Sequence, residues 1–299
     1  MIFFTRRRLY CFDVVGSVAR PALFVLAQHS TSGCMRQLIP FIKRKPTVAV
    51  IRLAGMIGSG SRAPLSDETI GPVIEKAFSR GKPVAVALVI NSPGGSPVQS
   101  SLIAARIRRL AEEKSIPVHA FVEDVAASGG YWLAVAADDI WVDASSVLGS
   151  IGVISAGFGA NEFLARQGVE RRIYTAGKSK STLDPFMPEK PEDVTRLKGI
   201  LEDIHGAFIT HVKSRRGSKL ADDPDLFTGE FWLGARSIEL GLADGIGHLV
   251  PKMKALYGDK VRFSKYGRKR GLFQRFGASL TQDALSFVEE RASYARFGL

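Results

Sequence analysis

The chain has 299 residues, 45% of them hydrophobic and 23% charged, with a formal net charge of +12 at pH 7. That is long enough to bury a sizeable core and too apolar for wholesale disorder. The 2 cysteines, Cys11 and Cys34, both lie near the N-terminus, which excludes a disulfide framework or a thiolate metal cage in the body of the chain.

The positive charge gathers toward the ends, in Arg6–Arg8, Lys43–Lys45 and the stretch from Lys260 to Arg275. Such runs read as solvated surface or as peripheral contact with an anionic membrane. No nucleic-acid-binding motif accompanies them, so nucleic acid is not an expected partner. Arg6–Arg8 followed by Leu9–Ala27 is similar to the opening of a secretory signal or anchor, but Asp13, Arg20 and Pro21 interrupt the apolar run. Thr31–Cys34 makes a poor lipobox, and translation from Met35 is a further reading. The expectation is therefore an N-terminal basic and apolar segment, 1–45, outside the fold. A domain over 46–257 and a basic extension with a helix over 258–299 complete the chain.

From Thr47 onward strand-like and helix-like stretches alternate, the pattern of an α/β fold. Thr47–Ile57 reads as a strand, and Ser66 as the cap of a helix to Arg80 with Asp67 and Glu68 in its first turn. Val84–Ile90 is an unbroken apolar run, as in a strand covered on both faces. It ends at Asn91-Ser92-Pro93-Gly94-Gly95, before a helix over Pro97–Lys114. Pro117–Val122 is a further strand, and Ser128-Gly129-Gly130 opens an apolar helix to Ala137. Ile140–Val142 and Val147–Ile154 read as extended, and an amphipathic helix runs from Pro191 to about Arg216. Short helices are expected near Gly234–Leu240 and Gly247–Leu256. No repeat of solenoid period is present.

Two strand-to-helix junctions combine small and polar residues. At Asn91–Gly95 glycines admit close backbone approach, and free N–H groups at the helix start favour negative charge. At Ser128 a hydroxyl would emerge at a sharp turn, with neighbouring N–H groups available to a developing oxyanion. On parallel strands both junctions face one sheet edge, where α/β ligand sites lie. Neither matches a nucleotide-binding loop, and Gly-x-Ser-x-Gly is absent. His205 and His211 share a helix without i, i+4 spacing, and His-Glu-x-x-His and Cys-x-x-Cys are absent, so no metal or other cofactor is expected. These features alone describe an α/β enzyme with an oxyanion-like site.

Ile90–Ser96, then Ala126–Trp132, then Gly149-Ser150-Ile151-Gly152-Val153 resemble, in that order, the signal peptide peptidase A family, peptidase family S49. Gly177-Lys178-Ser179-Lys180-Ser181 with Asp184-Pro185-Phe186 resembles its lysine-bearing segment. Thr228-Gly229, Ala235 and Gly241–Asp244 resemble its ending, so the likeness covers roughly residues 47–250. It implies the Clp protease/crotonase-like fold of stacked β-β-α units with a parallel sheet. It implies Ser128 as nucleophile, Lys180 as general base with Lys178 as rival, and Ser150 orienting the lysine. Gly94 or Gly95 and Gly129 would form the oxyanion hole.

A serine hydroxyl needs a base, and Ser/Lys pairs are an alternative to Ser/His/Asp. The lysine must be neutral, which calls for apolar cover. The resemblance further implies peptide substrates cut after small or apolar residues through an acyl-enzyme. It also implies a homo-oligomeric ring or dome whose dyad is completed between neighbours. A bacterial protein is expected, cytoplasmic or peripheral at the inner membrane, or periplasmic if the N-terminus is a signal. Two other readings stand beside it: a crotonase-type enzyme on acyl-CoA thioesters, which leaves Ser128 and Lys180 without a joint role, and a non-catalytic membrane scaffold.

Overall fold

Strand β1 (Thr47–Ala54) lies between β2 (Ala85–Ser92) and β8 (Arg262–Tyr266), parallel to both. The computed structural model describes residues 45–59, 65–177, 179–267 and 291–299. The rest of the segment expected outside the fold, and Lys178, lie outside the described residues. The sheet continues from β2 to β3 (Val118–Ala127), β5 (Val147–Gly149) and β6 (Phe231–Leu233). Beside the first half of β3 lie β4 (Asp139–Val142) and then β7 (Gly245–Ile246). Among the described residues every strand pairing is parallel except β5–β6. This is the stacked strand–helix architecture with a parallel sheet expected from the sequence.

Helices α1 (Asp67–Ser79), α2 (Pro97–Lys114) and α3 (Gly129–Ala134) cover one face of the sheet. Ile51, Leu53, Leu88, Ile90, Ala120 and Leu148 point into that layer because strand side chains alternate between faces. Ser66 caps α1 as expected, accepting from the Thr69 N–H while the Thr69 hydroxyl oxygen accepts from the Ser66 N–H. Asp67 then binds Arg106 of α2 through both carboxylate oxygens, at 2.8 and 2.7 Å, and that bond holds its carboxyl below the usual range.

On the other face, Val48, Val50, Ala87, Val89 and Phe121 pack with Met253 of α7 (Leu249–Tyr257). The remaining helices are α4 (Asn161–Arg166), α5 (Pro191–Arg216) and α6 (Gly234–Glu239).

Several elements differ from the sequence reading. The third strand runs through Glu123-Asp124 to Ala127, five residues past the apolar stretch that announces it, because β5 pairs with its second half. The extended stretch expected over Val147–Ile154 ends as a strand at Gly149, since Ser150 has φ 50°. β8 carries the sheet beyond residue 257, where the sequence reading ends the domain. Its five residues, Arg-Phe-Ser-Lys-Tyr, sit in a basic stretch that masks their strand pattern.

Behind α3 an ionic knot fixes the junction that carries Ser128. Tyr131 is fully buried and donates its hydroxyl to Leu242 O at 2.9 Å; burial pushes its phenol pKa up. Arg216, 4% exposed, donates to Gly241 O at 2.8 Å and to Asp244 at 2.7 Å. Burial raises the Asp244 pKa, but bonds from Arg216, Lys219 and the Ile140 N–H together outweigh it and hold the carboxyl low. Asp244→Asn strands a buried guanidinium and should cost about 3 kcal/mol. The native group, its folded pKa depressed, contributes stability above about pH 4 that is lost as pH falls through the folded value. Urea midpoints of both proteins across that acid range should converge as pH drops.

Candidate active site

Strand register brings the two junctions together. Ser92 pairs with Ala126, and Ala127 with Gly149, so the ends of β2, β3 and β5 reach one level of the sheet edge. Gly94, Gly95, Ser128, Gly129 and Ser150 all line a single cavity there, of about 510 Å³. Ser128 adopts φ 52° and ψ −121°, a conformation that L-residues rarely take, and Ser150 is also left-handed at φ 50°. The Ser128 N–H is held by Gly149 O at 2.9 Å, and its side chain makes no capping bond to α3. The half-buried hydroxyl is thereby presented to the cavity.

Gly94 packs so tightly on this turn that an added Cβ would stand 2.8 Å from Ser128 Cβ and from Gly129 N. Its own N–H donates to Ser92 Oγ at 3.3 Å. The N–H groups of Gly95 and Gly129 have no acceptor among the described residues. Gly129 begins α3, so its N–H cannot be used within the helix. Two unused N–H groups thus flank one hydroxyl, which is what an oxyanion requires.

One wall of the cavity is apolar. Trp132 stacks on Phe208 and His211 of α5, with centroids 4.9 and 4.8 Å apart, and Trp132, Phe208, Val153, Ile154 and Ile204 line the cavity. Burial pushes the His211 pKa down, against the pull of its bond to Trp132 O, so the ring is neutral at pH 7. His205 of the same helix donates from Nε2 to Ile151 O at 3.0 Å, tethering the segment just after Ser150. Both histidines thus serve backbone carbonyls.

Lys180 stands apart. It is exposed, in a turn closed by its N–H to Gly177 O at 3.2 Å, and it is not among the residues lining the cavity. Its turn belongs to an arm, residues 154–190, that carries Phe158, Phe163 and Tyr174 at 76%, 63% and 91% exposure. The arm is braced by Ala160 N–H to Pro185 O at 2.6 Å and by Arg171 to Asp184 at 3.1 Å. The backbone N–H of Phe186, then Arg171, hold the Asp184 carboxyl below its usual range.

Ser293, Arg296 and Phe297 also line the cavity, and the sequence carries no signal for them, since they lie far along the chain from the strand ends they touch.

The pattern of Peptidase family S49 matches residues 111–257. The chain is 30% identical over 250 residues to the Haemophilus influenzae protein named "Probable protease SohB", covering 82% of this chain and 68% of that protein. It is 47% identical over 293 residues to a protein of Brucella melitensis biotype 1 named "Na(+)/H(+) antiporter NhaA". That match covers 91% of this chain but 40% of the Brucella protein's length. No helix among the described residues is long and apolar enough to cross a membrane. Among solved structures, a mutant of the 1510-N membrane-bound stomatin-specific protease superposes with a TM-score of 0.47 at 15% identity, over 75% of this chain and 99% of that one. On the SohB match and the family pattern the chain belongs to peptidase family S49.

Proposed function

We propose that the chain is an endopeptidase in which Ser128 and Lys180 form the dyad, Lys180 being supplied by a neighbouring subunit. The carrying observation is Ser128 itself: a serine held at φ 52° between two unused N–H groups, in a cavity with one apolar wall. In the step that follows, Ser128 Oγ bonds to the scissile carbonyl carbon and its proton passes to the neutral Lys180 amine. The carbonyl oxygen, now anionic, accepts from Gly95 and Gly129. Collapse breaks the C–N bond, and the leaving amine takes the proton back from Lys180. Water then resolves the acyl-enzyme by the same relay. Ser150, beside Ser128 at the cavity, orients the lysine amine.

The trans arrangement is supported by the exposed apolar arm that carries Lys180 and by its absence from the cavity lining. Peptides with small or apolar residues at the cleaved bond suit the wall of Trp132, Ile204 and Phe208. We place the protein in bacteria, as the SohB relatives are, and at the periphery of the membrane, where the basic charge and the antiporter name of the longer Brucella relative both point.

A fluorophosphonate probe mapped by mass spectrometry tests the reading. Adduct at Ser128, lost in Ser128→Ala and strongly reduced in Lys180→Ala, supports it. No adduct in the assembled protein shifts weight to the acyl-CoA reading. Gly94→Ala, which would press a methyl group on Gly129 N at φ +102°, should lower turnover by about 100-fold or more.

A further inference from the structure

Residues 291–299 lie against the strand ends that build the site. Tyr294 and Phe297 pack on Val125, Ala127 and Val147, the underside of the sheet immediately before Ser128 and Gly149. The Phe297 ring meets Phe231 edge-on with centroids 5.2 Å apart. The Tyr294 hydroxyl donates to Asn91 O at 2.8 Å, and the Ser293 hydroxyl lies 3.3 Å from Met56 Sδ. Ser293, Arg296 and Phe297 thereby form one side of the Ser128 cavity. Leu299 lines a second cavity, of about 650 Å³, floored by Val50, Val89 and Phe121. The segment thus contributes to the lining of both cavities.

We infer that residues 291–299 are a strap across the substrate cleft, which an apolar peptide must displace to reach Ser128. The reasoning is competition for one surface. Val125, Ala127 and Val147, with Phe231 at 42% exposure beside them, form an apolar strip that leads to the nucleophile. An extended apolar peptide entering along the sheet edge would bury its side chains on the same strip. The inference rests on the cavity being the peptide site, and its test is chosen to stand apart from catalysis.

A thiol is placed in the cavity by Ser128→Cys, and alkylation at that position is followed by mass spectrometry, which separates it from Cys11 and Cys34. A small reagent, iodoacetamide, and a bulky one, a maleimide on a polyethylene glycol chain, are compared with and without Tyr294→Ala plus Phe297→Ala. The small reagent should react within about twofold in both backgrounds, and the bulky one about tenfold faster or more once the rings are gone. Phe231→Ala, at a half-exposed position across the contact, should act in the same direction without disturbing the core. Equal rates for the bulky reagent in all three backgrounds overturn the strap. In the Ser128 protein the ring substitutions should raise kcat/KM on an apolar peptide several-fold, and a synthetic peptide of Arg291–Leu299 added in trans should lower it again. A rise in KM instead would make the segment a substrate-binding wall and overturn the inference. If no form cleaves peptide, the peptidase reading falls, while the alkylation rates still decide the strap.

Discussion

Ser128→Gly should abolish peptide cleavage and make the protein more stable at the same time. Its φ of 52° and ψ of −121° place an L-residue in a region where Cβ crowds the backbone. Glycine removes that conflict, and the native side chain makes no capping bond to lose. A gain of about 1 kcal/mol is expected, smaller than the strain because glycine is freer in the unfolded chain. Ser128→Ala keeps the strain and should be nearly neutral in stability. Both should lose about 10⁴-fold or more in kcat/KM, as removal of a covalent nucleophile does. Denaturant midpoints and peptide turnover of the three proteins decide the matter. A Ser128→Gly protein less stable than Ser128→Ala would show that the turn is not strained.

Lys180→Ala should be as inactive as Ser128→Ala, and Lys180→Arg nearly so, because a guanidinium cannot give up its proton near neutrality. The sharper expectation concerns mixtures. If each dyad joins Ser128 of one subunit to Lys180 of the next, co-assembled Ser128→Ala and Lys180→Ala subunits recreate intact sites at some interfaces. Random assembly from equal parts should restore about a quarter of the parent activity, where either variant alone has none. The two proteins are unfolded together, refolded and assayed. A mixture as dead as its components would place the lysine in the same chain as its serine, or outside the reaction.

Much of the frame was legible because its signals are local. The unbroken Val84–Ile90 run, the Ser66 cap and Pro97 at a helix start each specify an element from a few neighbouring residues, and each forms. The Gly-Gly pairs after Ser92 and Ser128 are legible for the same reason: only glycine tolerates the close approach of Gly94 and Gly95 to the neighbouring turns. Composition along the chain hid other parts. β6 and β7 are three and two residues long, and β8 alternates within a basic stretch, so none has a period long enough to recognise.

The amino-acid sequence by itself determined the α/β class, the two junctions and the residue types that can do the chemistry, because these depend on side chains and backbone freedom at adjacent positions. The tertiary structure alone decided which of them meet. Parallel register, set by pairing across strands far apart in sequence, carries Gly95 and Ser150 to Ser128. The same packing lays Tyr294 and Phe297 beside the site and leaves Lys180 on an outward arm. Proximity between distant segments comes from the burial of apolar faces against one another, and no local pattern encodes it.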